Sequence, residues 1–208
     1  FYDKMIVIDS GTNEASVHMR TDAELLASLK ERQKVVLHFY EWSSPSATYG
    51  YFTNPATYLR PDHPLTLAKR VTGGGVIFHL TDFAFSILVP SNHSHFTFNT
   101  LDNYRYINQK IIQALRLCLP TLDPYLLEEE PVDVNDACRG FCMAKPTQYD
   151  VMIDGKKVAG GAQRRTKYGY LHQGSICLSL PQGSQIQNVV HSPEFVWTAM
   201  IENSYPLS

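Results

Sequence analysis

The run Lys69-Arg70-Val71-Thr72-Gly73-Gly74-Gly75-Val76-Ile77-Phe78-His79 decides how the rest of this chain is read. Three consecutive glycines have no Cβ, so their backbone can take angles closed to other residues and can lie directly against a bound group. Arg70 sets a fixed positive charge before them, and the apolar, β-rich Val76-Ile77-Phe78 predicts a buried strand that pins the turn in place. The string holds no G-x-G-x-x-G, and no Lys-Ser/Thr follows the glycines, so neither a dinucleotide-binding nor a Walker phosphate loop is present. A triple glycine alone is also an ordinary strand–strand turn; flanked by Arg70 and His79 it is more specific.

Working outward, the flanks alternate strands and irregular helices. Met5 to Asp9 reads as a strand ended by Ser10-Gly11; Thr12 or Asn13 then caps a helix with Ala15, Met19, Ala23, Leu26 and Leu29 on one face. Val35 to Tyr40 and Tyr49 to Phe52 are predicted strands, with Glu41 to Pro45 a loop between them. His38 is expected to bond or pack within the sheet. Downstream, Ala84 to Val89 is apolar enough for a strand buried on both faces. Ser91 to Phe98 is a solvated connection despite His93 and His95. A helix from Thr100 to about Leu119 buries Leu101, Tyr104, Ile111, Leu115 and Cys118, making Cys118 an inert core thiol. Glu128-Glu129-Glu130 is a solvated run, and Ser192-Pro193 opens a last helix with Phe195, Val196, Trp197, Met200 and Ile201. These elements predict an α+β fold: a mixed, largely antiparallel sheet flanked by helices.

A second stretch carries chemistry. In Tyr149-Asp150-Val151-Met152-Ile153-Asp154-Gly155-Lys156-Lys157-Val158-Ala159-Gly160-Gly161-Ala162-Gln163, Asp154-Gly155 is a two-residue hairpin signal between β-rich arms. Alternation along a strand sends Lys156 and Lys157 to opposite faces, so one points inward. Lys157, beside small residues that leave room for a ligand, can set an ammonium on a carbonyl oxygen or a phosphate.

Lys69 to His79 resembles the signature loop of the lipoate–protein ligase family, R-R-x-[ST]-G-G-G-x-V-[FY]-H-D, and Gly155 to Ala162 resembles that family's lysine motif, G-[RK]-K-[IV]-x-G-x-A. The resemblance runs more loosely from Ile8 to Leu180. It implies a fold like the biotin/lipoate ligase catalytic domain and an enzyme of protein lipoylation, which attaches a lipoyl or octanoyl group to a specific lysine of a lipoyl-carrier domain. Lys157 would be the ligand-binding lysine. Arg70, Gly73, Gly74, Gly75, His79, Gly160 and Ala162 would line the acyl or adenylate site. Phe141-Cys142-Met143-Ala144-Lys145-Pro146-Thr147-Gln148-Tyr149-Asp150 resembles the block in which octanoyltransferases of this superfamily carry the acyl chain on a cysteine, so Cys142 joins Lys157 as a catalytic candidate. A thiolate near a buried lysine is a competent nucleophile; without the resemblance, Cys142 reads as a packed cysteine.

The resemblance implies lipoate or octanoate as substrate, ATP and Mg only on a ligase route, and no tightly bound cofactor. Its partners would be lipoyl domains of 2-oxoacid dehydrogenase complexes or the glycine cleavage H protein, with an acyl carrier protein as donor on the transferase route. An apolar tunnel walled by Trp42, Tyr51, Phe78 and Phe85 would hold the chain. A non-catalytic paralogue that only binds lipoate or a carrier is the rival from another class. Three departures stand out. His79-Leu80-Thr81-Asp82 moves the acid of the His-Asp pair, Gly73-Gly74-Gly75 stands where cysteine-type transferases often have Gly-Gly-Arg, and Leu171-His172-Gln173-Gly174-Ser175 inverts the usual Gln-His-Gly order.

Composition agrees with a globular domain and excludes other classes. The 208 residues are 44% hydrophobic and 18% charged, with a formal net charge of −2, which argues against a nucleic-acid-binding face. No apolar run approaches the roughly 20 residues of a membrane span. Cys118, Cys138, Cys142 and Cys177 form no C-x-x-C pair, so neither a zinc site nor any other metal site is expected, and a reducing cytoplasm is the expected location. The start, Phe1-Tyr2-Asp3-Lys4, reads as trimmed, and residues 1–208 read as one catalytic domain without the C-terminal accessory domain of the long ligases.

Overall fold

The computed structural model describes residues 5–130, 140–141 and 144–208. In chain order the elements are β1 (Ile6–Asn13), α1 (Ala15–Ala27), β2 (Val36–Trp42), β3 (Ser46–Tyr49), β4 (Thr66–Lys69), β5 (Val76–His79), β6 (Asp82–Pro90), α2 (Thr100–Cys118), β7 (Tyr125–Leu126), β8 (Val151–Ile153), β9 (Lys156–Thr166), β10 (Gly169–Cys177), α3 (Gly183–Gln187) and α4 (Pro193–Asn203). Seven strands form one sheet in the order β1-β2-β6-β10-β9-β8-β7, and β4-β3-β5 form a second. Among the described strand pairs, β1–β2 and β3–β4 run parallel and the others are antiparallel. This is the mixed, largely antiparallel α+β architecture that the pattern predicts.

The pleat sorts the large sheet's residues by parity. Phe85 and Val89 of β6 and Tyr170 of β10 pack under α2, with Ile107, Ile111 and Leu115. Leu88 of β6, Leu171 of β10 and Val36 of β2 pack on the opposite face against Leu25 and Leu26 of α1. A third cluster joins the small sheet (Ala47, Val76, Phe78) to α3 and α4 through Ile186, Val196 and Met200. The face of the large sheet that carries α1 is therefore the face on which the small sheet brings the glycine loop.

Several local expectations shift. Ser10-Gly11 does not end β1: the register slips between Asp9 and Thr12, Gly11 takes φ +58°, and the strand resumes to Asn13. Asn13 consequently bonds the Ser10 carbonyl (2.9 Å), and Glu14 precedes the helix without a side-chain cap. Trp42 ends β2, and the next strand is Ser46–Tyr49, with Tyr51 and Phe52 in the turn beyond it. Leu101 and Cys118 lie at the two ends of α2, outside the span the sheet covers, and both are exposed, so Cys118 is not a core thiol. In α4, Val196 and Met200 are buried while Phe195 and Ile201 are exposed. Cys138 and Cys142 lie outside the described residues. Among the described residues no helix is long and apolar enough to cross a membrane.

Candidate active site

The glycine loop is held from three sides. Arg70, 5% exposed, donates from one guanidinium nitrogen to Thr48 Oγ1 (2.8 Å) and from another to the carbonyls of Gly73 (3.0 Å) and Gly75 (2.9 Å). The charge expected to face a ligand therefore folds the loop around itself. The turn after β3 clamps the outside: the amides of Gly50 and Tyr51 donate to the carbonyls of Gly75 (3.2 Å) and Thr72 (2.8 Å), and Thr53 Oγ1 donates to the Gly74 carbonyl (2.8 Å). Gly74 sits at φ +87°, a conformation that side chains resist. From inside, Thr72 Oγ1 donates to Gln173 Oε1 (2.6 Å), whose amide nitrogen reaches Asp22 Oδ2 (2.6 Å). Asp22 also takes Ser86 Oγ (2.6 Å) and holds His38 Nδ1 (2.8 Å), and His38 Nε2 meets Ser10 Oγ (2.8 Å).

The shifted acid still reaches its histidine. His79 closes β5, the chain reverses across Leu80-Thr81, and Asp82 opens β6 with its carboxylate 2.8 Å from His79 Nδ1. A donating Nδ1–H leaves Nε2 to accept from Thr48 Oγ1 at 2.8 Å, and Thr48 in turn accepts from Arg70, so donors and acceptors run in one direction. Trp42 stacks on the His79 ring with centroids 4.0 Å apart. Ser175 Oγ adds a bond to Asp82 (2.7 Å).

Lys157 points inward, as alternation predicts, and is only 4% exposed. Its ammonium lies 2.8 Å from Asp150, which is fully buried. Asp150 accepts three further hydrogen bonds, from Tyr104 OH (2.5 Å), the Thr147 amide (2.7 Å) and Thr147 Oγ1 (3.1 Å). Burial, reinforced by the Asp150 charge, holds the Tyr104 phenol well above its ordinary pKa, so it stays a donor. A β-bulge makes this possible: Ala159 pairs with Val151 but Lys157 pairs with Met152, leaving Val158 as the extra residue. Lys157 and Gly160 thus share a face although they are three apart. A Cβ at Gly160 would stand 2.5 Å from both Asp150 Oδ1 and Lys157 Cε, so this glycine is the space the ion pair occupies.

Arg70, Gly73, Gly74, Gly75, His79, Lys157, Gly160 and Ala162 all line one cavity of about 400 Å³. Cys142 lies outside the described residues; Phe141, Lys145 and Thr147 on either side of it line the same cavity. The apolar wall is not the expected one. Trp42, Tyr51, Phe78 and Phe85 are absent from the lining, and Met19, Tyr40, Ile77 and Ala84 supply it. Pleating explains the exchange: Ile77 and His79 face the cavity, so Phe78 between them faces the core, and Ala84 does the same to Phe85. Gln173 faces the cavity and His172 the α2 side, where burial lowers its pKa to about 3. Reversing the order of Gln and His still delivers the glutamine amide to the loop. Sequence reasoning missed Asp22, Asp150 and Gln173 as site-forming groups. Asp22 carried a usable signal, an acid one turn after His18 on the buried face of α1.

Residues 14–196 match the family model described as the lipoyl protein ligase A/B catalytic domain. The chain belongs to that family. Octanoyltransferase LipM of Geobacillus kaustophilus is 30% identical over 184 residues, 84% of this chain; the match spans 66% of that relative, just under two-thirds of its length. Octanoyltransferase LipM of Bacillus subtilis is 29% identical over 205 residues, covering 94% of this chain and 73% of the relative. The fold is that of lipoate-protein ligase A solved with ATP, with a TM-score of 0.70 at 22% identity, over 100% of this chain and 76% of that one. It also matches a bipartite lipoate protein ligase of Thermoplasma acidophilum, solved in a study of that ligase and its E2 lipoyl domain, with a TM-score of 0.73 at 20% identity, over 98% and 74% of the two chains.

Proposed function

We propose that this lipoyl protein ligase A/B family member moves an octanoyl or lipoyl group from a carrier thioester to a lysine of a lipoyl-carrier domain, through a thioester on Cys142. The observation that carries the reading is the buried Lys157–Asp150 pair in the same cavity as the Gly73–Gly75 loop. It is a fixed cation beside walls that have no side chains to exclude an acyl carbonyl. The octanoyltransferase relatives support the choice of acyl group and of transfer over ligation.

In the first half-reaction the Cys142 thiolate attacks the donor's thioester carbonyl carbon. Electrons collect on the carbonyl oxygen beside the Lys157 ammonium; as they return, the carrier thiolate leaves and takes up a proton, and the acyl group remains on Cys142. The neutral amine of the acceptor lysine then attacks. The C–N bond forms, the bond to the Cys142 sulfur breaks, and the surplus amine proton passes to the departing thiolate. Acceptors of this chemistry are the lipoyl domains of 2-oxoacid dehydrogenase complexes or the glycine cleavage H protein, in a cytoplasm that keeps thiols reduced.

The rival route activates free acid with ATP as an adenylate and asks Arg70 and Lys157 to clamp phosphate. Three hydrogen bonds from Arg70 end on protein oxygens, which supports a loop-building part for it instead. Two parallel assays separate the routes: octanoyl-carrier protein without nucleotide, and Mg-ATP with free octanoate or lipoate, each followed by mass gain on the acceptor domain. Transfer in the first that disappears in Cys142→Ser, with a hydroxylamine-labile acyl mass on the wild type, is expected. Activity in the second that survives Cys142→Ser overturns the thioester.

A further inference from the structure

Beside the cavity, large apolar rings stand in water on a rigid support. Tyr51 and Phe52 are 46% and 87% exposed and meet edge to face at 5.0 Å, on the same turn whose amides are bonded to the glycine loop. Two cations from different elements converge on this turn. Lys69 Nζ, at the end of β4, lies 4.4 Å from the Tyr51 ring centroid, and the Arg164 guanidinium, from β9, lies 5.6 Å from it. Arg164 is two residues past Ala162, on the strand face that lines the cavity. Among the described residues no carboxylate forms an ion pair with Lys69 or Arg164, whereas Arg60 and Arg116 have Asp62 and Asp123 within 4 Å. With a formal net charge of −2 for the whole chain, this is a local positive field. It is assembled around two exposed rings on a turn that three hydrogen bonds tie to the glycine loop.

We propose that Tyr51, Phe52, Lys69 and Arg164 form the docking surface for the acyl donor, a small acidic carrier protein that bears the chain on a phosphate-linked arm. The inference rests on the acyl-transfer reading above and names the partner of its first half-reaction. Charge chooses between the two proteins that must visit the cavity. The acceptor presents a lysine, which two cations at the rim repel, while the donor presents a phosphodiester on an acidic face, which they attract. Aromatic rings and arginine are the residue types that anchor protein interfaces, and rim charges steer the encounter.

The test is anisotropy of fluorescently labelled octanoyl-carrier protein titrated with wild type, Lys69→Glu/Arg164→Glu and Phe52→Ala. The charge reversal is expected to weaken binding by about tenfold or more at low salt and to abolish the salt dependence seen with wild type. Phe52→Ala is expected to weaken it severalfold, and binding of the lipoyl domain should change little in all three. Acylation by octanoyl-N-acetylcysteamine, a thioester with no carrier, should proceed at the wild-type rate in the variants. Equal carrier affinity in wild type and charge reversal overturns the docking surface, as does a wild type that fails to bind the carrier. Loss confined to the lipoyl domain overturns the assignment to the donor. A wild type that binds the carrier through this rim yet is never acylated by either thioester sinks the transfer reading and leaves the docking surface standing.

Discussion

Gly160→Ala adds one methyl group at the point where Lys157 meets Asp150. Its Cβ would lie 2.5 Å from Asp150 Oδ1, 2.5 Å from Lys157 Cε and 2.7 Å from Nζ, against 3.4 Å where ordinary contact begins. Something must therefore give by about 0.9 Å. Asp150 is pinned by Tyr104 and by both Thr147 donors, so the long, flexible lysine side chain makes most of the adjustment. Misplacement by about 1 Å of a group that stabilises developing charge lowers the rate on the order of 10²-fold, equivalent to roughly 2.7 kcal/mol of barrier. Overpacking adds about 1–3 kcal/mol of destabilisation, read as roughly 2–4 °C of Tm per kcal/mol. The assay is kcat/KM for octanoyl transfer to a lipoyl domain, followed by intact mass, beside a thermal melt. A folded Gly160→Ala protein with wild-type kcat/KM would refute the assignment of charge stabilisation to Lys157.

Lys157→Ala should abolish transfer and also destabilise the fold by about 3 kcal/mol in urea titration, because it leaves a buried Asp150 carboxylate without its counter-charge. Adding Asp150→Asn should recover part of that loss, and a double-mutant cycle showing no coupling would contradict the pairing. Gly74→Val places a β-branched residue at φ +87° and should lower stability by about 1–2 kcal/mol while weakening lipoate binding; unchanged calorimetric affinity would show the loop to be only a turn. Burial holds the folded-state pKa of His172 at about 3, against an ordinary 6.5. Between those values the unfolded chain binds a proton that the native state does not, so His172 lowers stability as pH falls from about 6.5 towards 3, at up to about 1.4 kcal/mol per pH unit. Above pH 6.5 this contribution is flat. Denaturant melts across that range should show a shallower acid limb for His172→Leu, and superimposable limbs would remove His172 as a cause.

Short-range chemistry made much of this molecule legible. The strand after Gly75, the Asp154–Gly155 turn (φ +49° and +76°) and the inward lysine all follow from rules that reach only a few residues. What the sequence concealed depends on register. A one-residue bulge at Val158 sets Lys157 beside Gly160, and no local pattern announces it. The tunnel was misread for a related reason: bulky aromatics look like pocket walls, but the pleat sends Phe78 and Phe85 to the cores and leaves small or flexible neighbours facing the cavity. Asp22 and Gln173 were invisible as partners because they meet only once α1 is laid across β10.

That last pairing has a consequence for how the protein is born. Asp22 and Gln173 are 151 positions apart, and Thr72 and Gln173 are 101 apart. On a ribosome adding about 5–20 residues per second, roughly 8–30 s separate the synthesis of Asp22 from that of the amide that satisfies it. Until then the carboxylate has no Gln173 amide to hold and the glycine loop lacks its inner tether. Nascent chains short of β10 thus emerge without a formed acyl pocket, and binding competence arrives in a late step of synthesis instead of accumulating element by element.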